Sequence, residues 1–241
     1  MDEITREPRI YKALELHHSA VSKNYKPIMT VLVGSQNYGL DTEKSDYDTC
    51  TFVLPSPTDI ATLRDPVSTT QEDELGHITI KDIRLGLNLL KKTSPNSVEW
   101  FATKYRYVES CFGKYLNFDP FILRCNTRHM IKAIDGLAHQ LGKRNVSDGK
   151  RLSHILRMEC MIRKYFEVDS DILSMYEPQR ELALKAKRDP DNPLWRLECI
   201  KHEEIVHQLA NSVDLDYFKD TEEKAKEFLT KLQLEFTKLA F

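Results

Sequence analysis

Two aspartates separated by a single residue, Asp46 and Asp48, follow the pair Gly34-Ser35 after a short polar segment. Like charges placed this closely repel one another unless a cation lies between them. Hard divalent ions such as Mg²⁺ or Mn²⁺ prefer carboxylate oxygens and often bridge them to the phosphates of a substrate. The spacing therefore predicts a metal site that acts on a triphosphate, and the chemistry that it indicates is nucleotidyl transfer.

A strand and a turn must position these groups. The apolar run from Pro27 to Val33 is short, rich in β-branched residues and followed at once by Gly34, which is typical of a buried strand. We expect Ser35 to open a helical turn with free backbone N–H groups, so that Gly34 and Ser35 bind phosphate. A second strand, Asp46 to Leu54, would place both aspartates on one face because side chains alternate along a strand.

The segment Gly34–Asp48, GSQNYGLDTEKSDYD, resembles the Gly-Ser and Asp-x-Asp pattern of the polymerase-beta superfamily of nucleotidyltransferases. It also resembles the predicted nucleotidyltransferases of bacteria and bacteriophages. Three later segments resemble the same family in the same order: Lys81–Arg84, Ser94–Glu99 and Gly149–Arg157. The family usually has Asn-Pro where this chain has Ser94-Pro95. The resemblance covers about residues 30 to 165.

The resemblance implies an α+β nucleotidyltransferase core with a small mixed sheet, an NTP such as ATP as substrate, and a divalent metal held by Asp46 and Asp48. Many members of the superfamily have a third catalytic carboxylate that also binds metal, and Asp82 is our candidate because it closes the alternating run His77–Asp82. The alternative is that Asp82 caps the apolar helix that follows it. Glu74, in a predicted loop, is the second candidate.

Three basic residues, Lys150, His154 and Arg157, have the i, i+4, i+7 spacing of one helix face. We expect this stripe to bind the nucleotide phosphates across a cleft from Ser35. The alternative is an ordinary solvated helix face. Glu99 matches a position of the family but fits the acidic end of a core helix equally well, and it is left out of the predicted catalytic set. Further basic residues are predicted to form a surface patch: Lys143, Arg144 and Arg151.

Composition limits the other possibilities. A chain of 241 residues can form one large domain or two small ones, and a formal net charge of −2 does not demand a nucleic acid partner. The five cysteines are scattered without a Cys-x-x-Cys pair, which argues against a structural zinc site and against a disulfide framework. This pattern favours a protein of the reducing cytoplasm, which would be the host cytoplasm if the protein is encoded by a phage. We predict no signal peptide and no membrane span. The adjacent His17 and His18 point to different helix faces and are predicted to lie at the surface.

The hydrophobic pattern divides the chain near residue 115 into a nucleotidyltransferase core, 1–115, and an all-helical domain, 116–241. In the core we predict helices at 8–23, 83–93 and 96–103 and strands at 27–33, 47–54, 77–82 and 105–108. The segment 55–76 has no periodicity and is predicted to be a long loop. In the second part we predict helices at 119–141, 148–167, 170–188, 194–211 and 218–240, the last of them amphipathic core cover.

The sequence therefore predicts a Mg²⁺-dependent (or Mn²⁺-dependent) nucleotidyltransferase that moves an NMP from an NTP to a hydroxyl and releases pyrophosphate. A small molecule, a protein side chain and an RNA 3′ end all suit the same core as acceptors. One alternative is a noncatalytic module of the same fold that senses a nucleotide or binds a partner protein, and the intact Asp46 and Asp48 argue against it. A second alternative is a nucleic-acid-binding protein that uses residues 143–157.

Overall fold

The computed structural model describes residues 3–42, 45–116, 120–141, 146–167 and 171–241, with the backbone alone described for residues 3–5 and for Pro120. It confirms the predicted fold class. A small mixed sheet with flanking helices forms the N-terminal part, and only helices follow residue 108 in the described part of the chain.

The helices are α1 (Glu3–Ser22), α2 (Pro57–Ala61), α3 (Ile83–Lys92), α4 (Pro95–Ala102), α5 (Gly113–Leu116), α6 (Thr127–Leu141), α7 (Asp148–Phe166), α8 (Glu177–Arg188), α9 (Trp195–Asn211) and α10 (Lys219–Lys238). The strands are β1 (Lys26–Leu32), β2 (Thr49–Leu54), β3 (Ser68–Glu72), β4 (His77–Asp82) and β5 (Arg106–Val108). Short 3₁₀ turns occupy Gly34–Tyr38, Ser110–Phe112, Pro120–Arg124 and Asp216–Phe218.

The strand order is β3-β4-β2-β1-β5. Strands β2 and β4 are parallel, with Thr49 opposite Ile78 and Val53 opposite Asp82, and the other neighbouring pairs are antiparallel. All residues of β2 are buried, which explains its continuous apolar run. This register decides which residues meet at each end of the sheet.

Each face of the sheet is covered by helices. Phe52 of β2 packs in the main core with Leu87 of α3, together with Leu156 of α7 and Phe236 of α10. This core therefore includes residues from both sides of the predicted boundary at 115/116, and the division into two domains stays a prediction. The opposite face of the sheet is covered by α1, which packs Leu14 and other apolar residues against it.

The segment 55–76 is not the predicted long loop. It contains α2, whose N-terminus is capped by the Ser56 hydroxyl, and the edge strand β3. All side chains of β3 are exposed, so an alternation of apolar and polar residues, the usual sign of a strand, is absent from Ser68–Glu72. Two predicted helices also begin later than expected, since α6 begins at Thr127 and α8 at Glu177.

The prediction that His17 and His18 lie at the surface is wrong, since both are buried between α1 and the sheet. His17 contacts the Thr49 hydroxyl at 2.9 Å and the Asp73 carboxylate at 3.3 Å. His18 makes the same pair of contacts with a threonine of β1 and a glutamate that follows β5. The two rings do diverge, as predicted, but each finds a polar partner inside the protein, because threonines face α1 from both central strands.

These histidines should make the fold sensitive to acid. Burial lowers the pKa of His17 and His18 below the ordinary value of 6.5, although Asp73 and Glu109 oppose the shift. Because the unfolded chain then binds protons that the folded protein does not, stability is full above about pH 6.5 and is lost as the pH falls below it. We expect the free energy of unfolding, measured with urea, to decrease from pH 7 to pH 5. The double variant His17→Gln/His18→Gln should show a clearly shallower decrease, and an unchanged slope would contradict this account.

Candidate functional site

A cleft of about 570 Å³ separates the Gly34–Tyr38 turn and the start of β2 from α7 and the C-terminal end of α8. The cleft brings together most of the predicted site residues: Gly34, Ser35, Asp46, Asp48, Lys150, His154 and Arg157. It is also lined by residues that were not predicted: Ser45, Ser147, Ser153, Lys187 and Pro190.

The predicted helical turn after β1 is present. Gly34 has φ +81°, a backbone conformation that residues other than glycine rarely adopt. A Cβ atom at this position would lie 3.6 Å from Oδ2 of Asp48, so the turn and the carboxylate are in close contact. The turn is closed by the Leu40 N–H, which donates to the Ser35 carbonyl at 3.0 Å. The Ser35 hydroxyl lines the cleft.

Asp46 and Asp48 lie just before β2 and not within it, because the strand begins at Thr49. Their backbones are nevertheless fixed to the turn. The Val33 N–H donates to the Asp48 carbonyl at 2.9 Å, and the Gln36 amide donates to the Asp46 carbonyl at 2.8 Å. The two carboxylates therefore leave the sheet at the same end as the turn.

The Asp48 side chain is oriented by His77. Since Thr49 lies opposite Ile78 in the parallel pair, Asp48 lies beside His77. The backbone N–H of His77 donates to Oδ1 of Asp48 at 3.1 Å, and its ring Nδ1 lies 3.2 Å from the same oxygen. Oδ1 of Asp48 thus already contacts the backbone and the ring of His77, whereas Oδ2 points towards Gly34. Sequence reasoning missed His77, although it begins the strand that was correctly predicted at 77–82.

The assignment of Asp82 as a third metal ligand is corrected by the register. Asp82 lies five residues beyond His77 on β4, which places it about 16 Å from Asp48 along the sheet. Its buried carboxylate accepts a hydrogen bond from the Arg84 N–H at 2.8 Å and pairs with the Arg84 guanidinium at 2.6 Å. Asp82 therefore caps α3, which was the alternative interpretation.

Glu74, the second candidate, lies exposed in the turn between β3 and β4. This turn reaches the correct end of the sheet, because the Leu75 carbonyl accepts a hydrogen bond from the Tyr47 N–H at 2.8 Å. Its catalytic role stays a prediction. No group of three or more His, Cys, Asp or Glu side chains in the described ranges is arranged to hold a metal. Asp46 and Asp48 both line the cleft, and their carboxylate oxygens are the kind of donor that a hard divalent cation prefers.

Glu99 of α4 is more than the acidic end of a core helix. Its buried Oε1 accepts hydrogen bonds from the Gly34 N–H at 2.8 Å and from the Asn37 amide at 3.3 Å. The Arg157 guanidinium lies 3.6 Å from the same oxygen. Burial raises the pKa of Glu99 above its ordinary value, although Arg157 and the Gly34 amide oppose the shift. The carboxylate thus fixes the turn that was predicted to bind phosphate.

Arg157 connects this turn to α7. Its buried guanidinium stacks over the Tyr38 ring at 3.9 Å from the centroid and pairs with Glu99. Arg157 lines the cleft, as expected from the basic stripe, but it already has two partners within the protein. Its contact with nucleotide phosphate stays a prediction, whereas its role in holding the turn against α7 is visible in these contacts.

The other cations of the cleft converge near Arg157. Lys150 is exposed on the first turn of α7, and His154 is half-buried one turn later. Lys187 of α8 is half-buried, and its ammonium donates to the Leu40 carbonyl. Burial lowers the pKa of Lys187, and the nearby Arg157 and Lys150 lower it further. Burial is the larger cause and Asp41 opposes the shift, but the effect of Arg157 and Lys150 shows positive charges close enough to repel, a condition that an anionic ligand would relieve.

A glycine permits this convergence. A Cβ atom on Gly149 would lie 2.3 Å from the Ala186 carbonyl oxygen and 2.6 Å from the Pro190 Cα, so only glycine allows α7 and α8 to approach this closely. The Gly149 N–H donates to the Pro190 carbonyl at 3.0 Å. Sequence reasoning missed Lys187 because its basic segment has the composition of a solvated helix face.

The predicted surface patch is only partly visible. Lys143 and Arg144 lie outside the described residues. Arg151 is half-buried and forms an ion pair with Glu203, which joins α7 to α9. Arg151 therefore stabilises the helical part and does not extend the basic surface of the cleft.

Residues 7–163 match the RlaP family, described as the RNA repair pathway DNA polymerase beta family. The chain belongs to this family. The RlaP match covers the Gly34–Tyr38 turn, both aspartates, Glu99 and the stripe on α7, and it confirms the predicted polymerase-beta type of nucleotidyltransferase. Lys187 lies beyond the matched region. No curated protein matches the chain. Within the described ranges, none of the helices has the length and apolarity needed to cross a membrane.

The pairing of Glu99 with Arg157 predicts strong coupling between the two residues. Arg157→Met leaves a buried carboxylate without its cation, and removing one partner of such a pair costs about 3 to 5 kcal/mol of the free energy of unfolding. In Arg157→Met/Glu99→Gln the amide still accepts from Gly34 but carries no charge, so we expect the double variant to be more stable than Arg157→Met. Urea denaturation measures both.

Arg64→Met is the matched control, because Arg64 is exposed and its ion pair with Asp59 spans 3.6 Å. It should cost less than about 1 kcal/mol. If the loss of unfolding free energy in the double variant equals the sum of the losses in Arg157→Met and in Glu99→Gln, then Glu99 and Arg157 are not coupled.

Proposed function

We propose that this RlaP member transfers a nucleoside monophosphate from an NTP to a hydroxyl acceptor, with Mg²⁺ or Mn²⁺ as cofactor. One observation carries the proposal: a single cleft has two carboxylates on one wall and converging cations on the other. Carboxylates alone would suit a cation, and basic residues alone would suit any anion. The combination suits a metal-bound triphosphate.

The phosphates lie between the two walls. Ser35 donates its hydroxyl from the turn, and Lys150 and Lys187 donate from the helices. The Gly34 N–H is already bonded to Glu99, so it serves the shape of the turn and not the ligand. Asp46 and Asp48 hold the cation, with Asp48 kept in orientation by His77. When bound, the cation supplies charge neutralisation at the phosphate oxygens.

In the reaction, the acceptor hydroxyl oxygen attacks the α-phosphorus in line with the bond to the β-phosphate oxygen. That bond breaks and pyrophosphate leaves, while the hydroxyl proton passes to a carboxylate oxygen of Asp46 and from there to water. Lys150 and Lys187 stabilise the negative charge of the leaving pyrophosphate. Asp82 takes no part, because it caps α3 at the other end of β4.

The association of the RlaP family with an RNA repair pathway favours an RNA end as the acceptor. The direct experiment supplies each α-labelled NTP with Mg²⁺ and RNA oligonucleotides that end in a 3′-hydroxyl or a 3′-phosphate. We expect label only on the 3′-hydroxyl RNA. Label on a protein or a small molecule of an added cell extract, with none on RNA, would reject the RNA acceptor and keep the transfer reaction.

Asp46→Asn and Asp48→Asn should each reduce label transfer to background, because each removes a metal ligand from the end of the sheet. Asp82→Asn is the matched control: it is the same substitution at a carboxylate outside the cleft, and asparagine caps a helix as well as aspartate. We expect its transfer rate to stay within about twofold of wild type at a temperature where all variants are folded. Near-normal transfer by Asp46→Asn or Asp48→Asn would reject the metal site.

Lys187→Gln should weaken NTP binding without unfolding the protein. A charge-assisted hydrogen bond contributes about 1.5 to 3 kcal/mol, so we expect a loss of about tenfold to a hundredfold in affinity by calorimetry. Lys185→Gln is the control, because Lys185 is exposed on the same helix and does not line the cleft. Equal dissociation constants for the two variants would show that Lys187 does not contribute to NTP binding.

A further inference from the structure

A second cavity of about 200 Å³ lies next to the cleft. It shares His154 and Arg157 with the cleft and extends from them between α6 and α7. Its wall is about equally polar and apolar. Besides the shared His154 and Arg157 it contains Glu99 and Asn96, and its apolar part consists of Leu137, Leu141, Met158, Met161, Pro95 and the Tyr38 ring. The predicted stripe on α7 thus continues past Arg157 as an apolar surface.

The chemistry of this cavity suits a flat aromatic group. Thioether side chains are polarizable, adapt to irregular shapes and make favourable contacts with aromatic rings. Asn96, an exposed residue at the first turn of α4, adds an amide that can donate and accept hydrogen bonds. Drug-sized ligands need cavities of about 300 Å³ or more, so this one suits a ring system and not a whole nucleotide.

Its distance from the cations agrees with the length of a nucleotide. Arg157 lies seven residues after Lys150 on α7, which is about 10 Å along the helix, and Met161 lies one further turn away. A triphosphate held by Lys150 and Lys187 would therefore place its sugar near Arg157 and its base beyond it. The aspartates, where the acceptor must arrive, lie on the opposite wall of the cleft.

We propose that this cavity binds the nucleobase of the incoming NTP and so contributes to nucleotide affinity and selection. The inference rests on the proposed function, because it assumes a triphosphate in the adjoining cleft. A nucleobase could also come from the terminal nucleotide of an RNA acceptor. The position of the cavity on the side of the phosphate-binding cations favours the base of the NTP.

The test fills the cavity and compares ligands with and without a base. Leu137 is half-buried on α6, so Leu137→Trp places an indole in the cavity from its rim. Leu197→Trp is the matched control, because Leu197 is 68% exposed on α9 and outside both cavities. Calorimetry of the full chain with Mg²⁺ gives dissociation constants for inorganic tripolyphosphate, an RNA oligonucleotide and each of ATP, GTP, CTP and UTP.

We expect Leu137→Trp to weaken the tightest NTP at least about tenfold, equivalent to about 1.4 kcal/mol, with tripolyphosphate affinity unchanged. Leu197→Trp should change neither. An unchanged NTP affinity in Leu137→Trp overturns the proposal, and so does weakened RNA binding with unchanged NTP binding, which assigns the cavity to the acceptor.

A second variant, Met161→Ala, enlarges the cavity and should also weaken the NTP alone. If both variants weaken tripolyphosphate and NTP equally, the cavity is not a separate base site and the proposal fails. Failure of the proposed function has a different signature: wild type would then bind neither tripolyphosphate nor any NTP.

Discussion

The buried carboxylate of Glu99 is the constraint on which the site depends. It accepts the Gly34 N–H of the turn and pairs with Arg157 of α7, so one side chain connects the end of β1 with α4 and with the helical part. A buried charge is stable only when it is paired and hydrogen-bonded, and Glu99 meets both conditions through groups that line the cleft. A buried side chain thus joins the turn on one side of the cleft to α7 on the other.

The same arrangement leaves the cleft with excess charge of both signs. Burial and the nearby Arg157 and Lys150 lower the pKa of Lys187, and Asp46 and Asp48 lie on the opposite wall of the same cleft. Groups held in this way reduce the stability of the free protein and are retained where they bind a ligand. The proposed metal-bound triphosphate would complement both walls.

Features with a local pattern could be predicted from the sequence. The run into Gly34 predicted β1 and its turn, and the spacing on α7 predicted which basic residues share a face of the cleft. Features that depend on register could not. Asp82 closes a correctly predicted strand, but only the pairing of Thr49 with Ile78 shows that it lies at the wrong end, and the same pairing brings His77 to Asp48.

Other differences arise from contacts between distant segments. Lys187 reaches the cleft because Gly149 allows two helices to touch, and neither residue signals this by itself. His17 and His18 are buried because threonines of the sheet face α1, which a helix pattern cannot reveal. Strand β3 was missed because an exposed edge strand carries no apolar alternation. Sequence patterns predicted most of the elements and several residues that line the cleft, and tertiary packing decided their partners.

A crystal structure with a non-hydrolysable NTP analogue and Mn²⁺ tests the central claim most directly, since the anomalous signal of the metal locates it independently of the nucleotide. The account predicts a Mn²⁺ peak between the carboxylates of Asp46 and Asp48, with the triphosphate extending from it towards Lys150 and Lys187. A metal or triphosphate bound away from this cleft, or an empty cleft at saturating ligand, would contradict the account.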